Sequence, residues 1–236
     1  MNAVLLCGGV GTRLRPLTDT LPKPLLPVGG RPLLEWSIEK LRDAGITDVM
    51  LATGYRSELI ESHFGDGAAF GVNLRYFREE EPLGTAGALS YLAQQLEDPF
   101  LVMNGDVFTD LDLTRILAAH RGGQADLTVA VAPYHTTIPY GVIEERGGQV
   151  LAIREKPSVD AKINAGIYVV SRSVVRVLPQ GGYFDCAQLM TACLAEGLRV
   201  RAYDVSEYWV DIGNLEDYER LNQDLARLTL DKGLRE

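Results

Sequence analysis

Through residues 1–132 the chain alternates short apolar runs with stretches of helical period, and few folds accommodate that order. Asn2 to Cys7, Asp48 to Thr53, Val72 to Phe77, Phe100 to Asn104 and Leu127 to Ala132 read as strands. Pro32 to Ala44 reads as a helix, with Leu33, Leu34, Ile38 and Leu41 on one side and Gly45 as its stop. Ser57 is placed to cap a short helix to Phe64. Thr85 to Leu96 reads as helical, and Thr114 to His120 as a helix that Gly122 stops. The pattern predicts an α/β fold: a Rossmann-like, mainly parallel sheet with helices on both faces.

The second half has a different rhythm. Tyr140 to Glu144 and Val150 to Glu155, with Gly147-Gly148 between them, predict an antiparallel hairpin. Ile163 to Val170 and Leu198 to Tyr203 read as strands, Cys186 to Ala195 and Leu215 to Leu228 as helices. With no repeat, low-complexity segment or linker, residues 1–236 are expected to form one domain with a hairpin lobe inserted around 133–162. Its 46% hydrophobic and 23% charged residues are ordinary for a globular chain. No apolar run approaches the ~20 residues of a membrane span, and the N-terminus lacks the form of a signal peptide, so no membrane partner is expected. Three cysteines (Cys7, Cys186 and Cys193) suggest a reducing, cytoplasmic setting without a disulfide framework.

Net charge is −9, which argues against a nucleic-acid partner. An anionic small molecule then requires a local concentration of cations. Only five lysines are present, and two of them, Lys23 and Lys156, precede prolines. The first strand runs into Gly8-Gly9-Val10-Gly11-Thr12-Arg13-Leu14-Arg15. Glycines after a first strand let backbone N–H groups approach a ligand closely. A Walker loop is excluded because no Gly-Lys-Ser/Thr follows, and a dinucleotide fingerprint because position 14 is leucine. A plain tight turn accounts for the glycines alone. It does not account for Arg13 beside them, or for Lys23 held between Pro22 and Pro24, where restricted backbone favours a pre-positioned cation.

The run from Gly8 through Thr18, with Pro22-Lys23-Pro24-Leu25-Leu26-Pro27-Val28, resembles the signature of the sugar-phosphate nucleotidyltransferases, or nucleotide-sugar pyrophosphorylases. Cys7 stands where that family often has alanine. The resemblance implies a nucleotide-diphospho-sugar transferase-like fold, with 1–132 mainly binding nucleotide and 133–236 mainly binding sugar phosphate. It implies that Leu6, Gly8, Gly9, Gly11, Thr12, Arg13 and Lys23 meet the nucleotide, Arg13 and Lys23 catalytically. Asp106, in Asn104-Gly105-Asp106, and Asp211, in Tyr208-Trp209-Val210-Asp211, resemble the family's two metal-binding aspartates. Each alone reads as an ordinary turn or cap residue; as a pair with phosphate oxygens they suit Mg²⁺. Glu155-Lys156-Pro157, Tyr140-Gly141-Val142 and Asn164-Ala165-Gly166 match further family segments. By that resemblance Lys156 grips the phosphate of a sugar 1-phosphate. Glu155 and Asn164 meet sugar hydroxyls, with Asn104, Tyr140 and Gly141 nearby.

Glu79-Glu80-Glu81-Pro82-Leu83-Gly84-Thr85-Ala86-Gly87 resembles the corresponding stretch of GDP-sugar pyrophosphorylases. Guanine offers N1–H and N2–H₂ as adjacent donors, and a carboxylate accepts both. GTP is therefore the preferred triphosphate, with Gly84 and Thr85 beside the base and either Glu79 or Glu80 reading it. The expected partners are this triphosphate and a sugar 1-phosphate of mannose or heptose type. A uridylyl- or thymidylyltransferase is the alternative. A nucleotide-sugar-binding regulatory subunit is a third, although such relatives typically lack the arginine or lysine present here. No hexapeptide repeats follow residue 236, so a bifunctional acyltransferase is not expected; self-association is left open. His63, His120 and His135 lack an evident partner and read as surface or helix-end residues, and Cys186 and Cys193 as inert.

Overall fold

The computed structural model describes residues 1–233, with side chains through residue 227. The elements in chain order are β1 (Asn2–Cys7), β2 (Pro27–Val28), β3 (Arg31–Pro32), α1 (Leu33–Asp43), β4 (Asp48–Thr53), α2 (Ser57–Phe64) and β5 (Asn73–Arg78). There follow α3 (Gly84–Gly87), α4 (Leu89–Leu92), β6 (Phe100–Asn104), β7 (Val107–Thr109), α5 (Leu113–Gly122) and β8 (Leu127–Thr137). The remainder comprises β9 (Gly141–Arg146), β10 (Gln149–Glu155), β11 (Ser158–Val170), α6 (Cys186–Ala195), β12 (Val200–Asp204), β13 (Trp209–Asp211) and α7 (Leu215–Gly233).

Seven strands form the main sheet in the order β12-β8-β11-β6-β1-β4-β5. β11 alone runs against its neighbours β6 and β8; the other pairings are parallel. The expected α/β sheet is therefore present. Its central strands are apolar on both faces, as helices on both sides require. Along β1, Ala3, Leu5 and Cys7 pack with α1, α2 and α5, while Val4 packs on the opposite side with α4 and α6. From β1 the chain steps outward to β4 and β5, then returns to β6 on β1's other side. The carboxyl ends of β1 and β6 thus flank the point where strand order reverses, where open α/β sheets bind ligands.

A third cluster decides the site. Leu14, Leu26, Val28 and Leu33, from the segment after the glycines, pack on Phe108, Val210, Ile212 and Leu221. This core ties the first thirty-odd residues to the β7–β13 ribbon and α7. In that ribbon Val107 pairs with Asp211, and Ile212 donates its N–H to the Asp106 carbonyl at 3.1 Å. Two aspartates a hundred residues apart become neighbours through backbone pairing.

Several boundaries differ from the sequence reading. The lobe is continuous with the main sheet: β8 runs on to Thr137 and β11 begins at Ser158, pairing beyond the core. Pro133, His135 and the exposed Asp160 and Lys162 hid this, because a strand without a buried face has no apolar alternation to read. Thr85 to Leu96 is two short helical turns and a 3-10 turn rather than one helix. In its first turn the Ala86 N–H donates to the Phe184 carbonyl at 2.9 Å. Ser57 is not a cap but a buried first-turn residue; Arg56 precedes it in a left-handed conformation. His135 does have a carboxylate partner, Asp160, at 2.7 Å across β8 and β11. His120 is at a helix end as expected but is buried between Thr128 Oγ1 and Ser171 Oγ, each at 2.9 Å.

Candidate active site

The loop after β1 bends over a short 3-10 turn, Thr12–Leu14, and Thr18 Oγ1 donates to the Gly11 carbonyl at 2.9 Å to hold it. Gly11 has φ +67°, and a side chain there would meet Thr18 and Lys23, so glycine suits this position on both counts. Lys23 follows Pro22 (φ −65°) and opens a 3-10 turn. It is 8% exposed, and its Nζ donates to Asp106 Oδ2 at 2.6 Å. A lysine that buried needs a charged partner.

Asp211 lies across the ribbon from Val107 and is pushed up to about 6, first by burial and then by the Asp106 charge; Lys23 and Arg13 pull the other way. Arg13 is exposed and reaches the β13–α7 turn, with Nη1 3.5 Å from where a Cβ on Gly213 would stand. Arg13, Lys23, Asp106 and Asp211 therefore share one electrostatic site at the switch point.

One oxygen each of Asn104, Asp106 and Asp211 (Oδ1 in all three) is buried without a partner. Buried oxygens are normally satisfied. Open oxygen acceptors on Asp106 and Asp211, whose charges act on each other, suit a hard, oxygen-seeking cation. Among the described residues no group of three or more His, Cys, Asp or Glu side chains gathers around one point. The carboxylates that meet at this site are those of Asp106 and Asp211.

Next to this cluster a cavity of about 250 Å³ opens between Leu6, Gly8, Gly9, Glu79, Pro82, Gly84, Thr85, Asn104, Asp106 and Tyr183. Glu79 lies against Gly8, its oxygens 2.9 Å from where a Cβ would stand, so only glycine admits the carboxylate there. Glu79 Oε2 accepts the Leu83 N–H at 3.1 Å. Burial pushes the Glu79 carboxyl up, partly offset by that bond. Of the two glutamates left open by the sequence, Glu79 lines the cavity; Glu80 is exposed and does not. Tyr183 was missed, since nothing in Gly181-Gly182-Tyr183-Phe184 marks it apart from a loop.

Tyr140, Gly141, Glu155 and Lys156 are exposed on the hairpin. Glu155 Oε2 lies 3.0 Å from where a Gly141 Cβ would be. Lys156 has φ +44°, uncommon outside glycine, and its N–H donates to the Tyr140 carbonyl at 3.3 Å. It makes no ion pair with the Asp106–Asp211 cluster. Asn164 holds the bulge in β11, donating to the Tyr168 hydroxyl at 2.6 Å and accepting the Gly166 N–H at 3.0 Å.

A doubly wound sheet with paired cations and carboxylates at its switch point defines a nucleotide-handling α/β protein. Residues 2–227 match the family described as nucleotidyl transferase, and the chain belongs to that family. It is 39% identical over 96% of its length to a mannose-1-phosphate guanylyltransferase of Mycobacterium tuberculosis. It is 33% identical over 95% of its length to a D-glycero-alpha-D-manno-heptose 1-phosphate guanylyltransferase of Aneurinibacillus thermoaerophilus, covering 98% of that protein. The chain spans only 61–65% of the length of the first four curated relatives it matches, one of them a Synechocystis UTP–glucose-1-phosphate uridylyltransferase at 35% identity. A Bacillus anthracis structure provisionally described as a glucose-1-phosphate thymidylyltransferase, in complex with sucrose, superposes with a TM-score of 0.77 at 26% identity, covering 95% of both chains.

Proposed function

We propose that the chain transfers a nucleotidyl group from a nucleoside triphosphate, GTP by preference, to a sugar 1-phosphate of mannose or heptose type, releasing pyrophosphate. An oxygen of the sugar phosphate attacks the α-phosphorus in line, a new P–O bond forms, and the bond to the bridging oxygen breaks with pyrophosphate as leaving group. The nucleophile is already anionic at neutral pH, so no protein base is required. Positioning and charge neutralisation carry the rate.

Arg13 stabilises the α-phosphate and the leaving group. Lys23 exchanges its Asp106 partner for a phosphate oxygen. Asp106 and Asp211 would hold Mg²⁺, which when bound would supply neutralising charge and polarise the α-phosphate. Leu6, Gly8, Gly9, Gly11 and Thr12 line the nucleotide's path, and Gly84 and Thr85 flank the base. Glu79 accepts from guanine N1–H and N2–H₂. Lys156 takes the phosphate of the incoming sugar. Glu155, Asn104, Asn164, Tyr140 and Gly141 meet the sugar itself. Nucleotide contacts fall mainly in 1–132 and sugar-phosphate contacts mainly in 133–236, with Asp211 and Tyr183 crossing that division.

The observation carrying this reading is the Lys23–Asp106 pair at 2.6 Å, with Arg13 and Asp211 acting on the same point beside the Glu79 cavity. The test is pyrophosphate release across GTP, UTP, dTTP, ATP and CTP against a panel of sugar 1-phosphates with Mg²⁺. Turnover highest with GTP and mannose or heptose 1-phosphate is expected. Highest turnover with UTP or dTTP would replace the base assignment, and no turnover with any pair would leave a binding protein.

A further inference from the structure

Tyr183 is 65% exposed, yet it lines the cavity that holds Glu79. Its Cε2 lies 3.2 Å, and the Phe184 carbonyl 2.7 Å, from where a Cβ on Gly84 would stand, so glycine at that position lets the Tyr183 loop close against the cavity rim. The loop carrying it is fastened to the opposite wall. Phe184 donates its N–H to the Leu83 carbonyl at 2.8 Å and accepts the Ala86 N–H at 2.9 Å. Cys186 donates its N–H to Thr85 Oγ1 at 2.9 Å. Gly87 lets the two backbones touch, the Gly182 carbonyl lying 2.8 Å from where its Cβ would be. A large aromatic residue is thus carried at a cavity rim on a backbone pinned by these bonds, with most of its surface bare. Of the residues assigned to the sugar, Asn104 lines this cavity, whereas Tyr140, Gly141, Glu155, Lys156 and Asn164 do not.

We propose that Tyr183 is a specificity-determining residue that packs against the nucleobase read by Glu79 and favours the bicyclic purine, which covers more of the ring than a pyrimidine does. The inference rests on the reading of this cavity as the base site. Stacking of a base on an aromatic side chain is enough to change affinity by about tenfold.

The test measures equilibrium binding of GTP and UTP, with Mg²⁺ and no sugar phosphate, to the full chain and to Tyr183→Ala, Tyr183→Phe and Tyr183→Trp. Inorganic tripolyphosphate, which has no base, is the control probe. Tyr183→Ala is expected to weaken GTP about tenfold, UTP less, and tripolyphosphate not at all; Phe and Trp are expected to hold GTP within about twofold of the parent. Equal GTP affinity in Tyr183→Ala overturns the proposal, as does an equal loss for tripolyphosphate, which marks a merely structural effect. The aromatic variants keep the test open should Tyr183→Ala fail to fold. Absence of nucleotidyl transfer by the parent, with GTP still bound, would count against the proposed function and leave this inference standing.

Discussion

Asp211 carries a conflict between stability and function that can be measured. Burial strips water from its carboxylate and the Asp106 charge repels it; Lys23 and Arg13 offset this only in part. The rise from 3.8 to about 6 corresponds to ~3 kcal/mol in favour of the protonated form. Partial contact with solvent reduces this to ~1–2 kcal/mol. Because the folded state holds the proton more tightly than the unfolded chain, the favourable contribution is complete below pH 3.8 and is lost as the pH rises through about 6. Asp211→Asn removes the buried charge. In EDTA at pH 8 the variant should exceed the parent by ~1–2 kcal/mol, or roughly 2–8 °C in Tm. The gain should vanish near pH 4, where the parent's carboxyl is protonated. Adding Mg²⁺ and GTP should reverse the order, since the ligands stabilise only the chain that binds them well. Calorimetry at a series of pH values reads all three outcomes. A variant less stable than the parent in EDTA at pH 8, or a gain that persists undiminished into acid, would refute the electrostatic argument.

Glu79→Gln should lower kcat/KM for GTP about tenfold or more while affecting UTP little, as a charged hydrogen-bond acceptor becomes an amide. In the parent, KM for GTP should rise on acidification at a higher pH than an exposed glutamate would allow, because burial raises the Glu79 carboxyl. Gly141→Ala would place a methyl 3.0 Å from Glu155 Oε2 and turn that carboxylate aside; KM for the sugar 1-phosphate should rise severalfold with KM for GTP unchanged. His120→Ala leaves Thr128 and Ser171 without their buried partner and should cost ~1–3 kcal/mol, seen as a fall in Tm with both KM values intact.

The sequence was most legible where both faces of an element are buried. β1, β4 and β6 announce themselves as apolar runs; Cys186–Ala195 has the bounds expected from the sequence, and the structure shows its start fixed by a capping box of Asp185 and Gln188. It was least legible where structure depends on remote partners. The outer halves of β8 and β11 pair only with each other, so neither shows a buried face. Thr85 to Leu96 reads as one helix, whereas the structure interrupts it at Ala88, and the Phe184 loop docks on its first turn by accepting the Ala86 N–H. At the site, the glycine loop and Lys23 are local signals, whereas the approach of Asp211 to Asp106 depends on the β7–β13 pairing and the small core beneath it. Asn164 shows another limit: a motif match identifies the residue, but nothing local in the sequence shows that its amide also holds the β11 bulge.

If Asp106, Asp211, Lys23 and Arg13 form one site for a triphosphate and its metal, pyrophosphate release from GTP and mannose 1-phosphate, with Mg²⁺, should depend on Asp106, measured in the parent and in a folded Asp106→Ala chain. Turnover by the parent with a loss of about a thousandfold or more in the variant is the predicted result. Undiminished turnover by Asp106→Ala would contradict it.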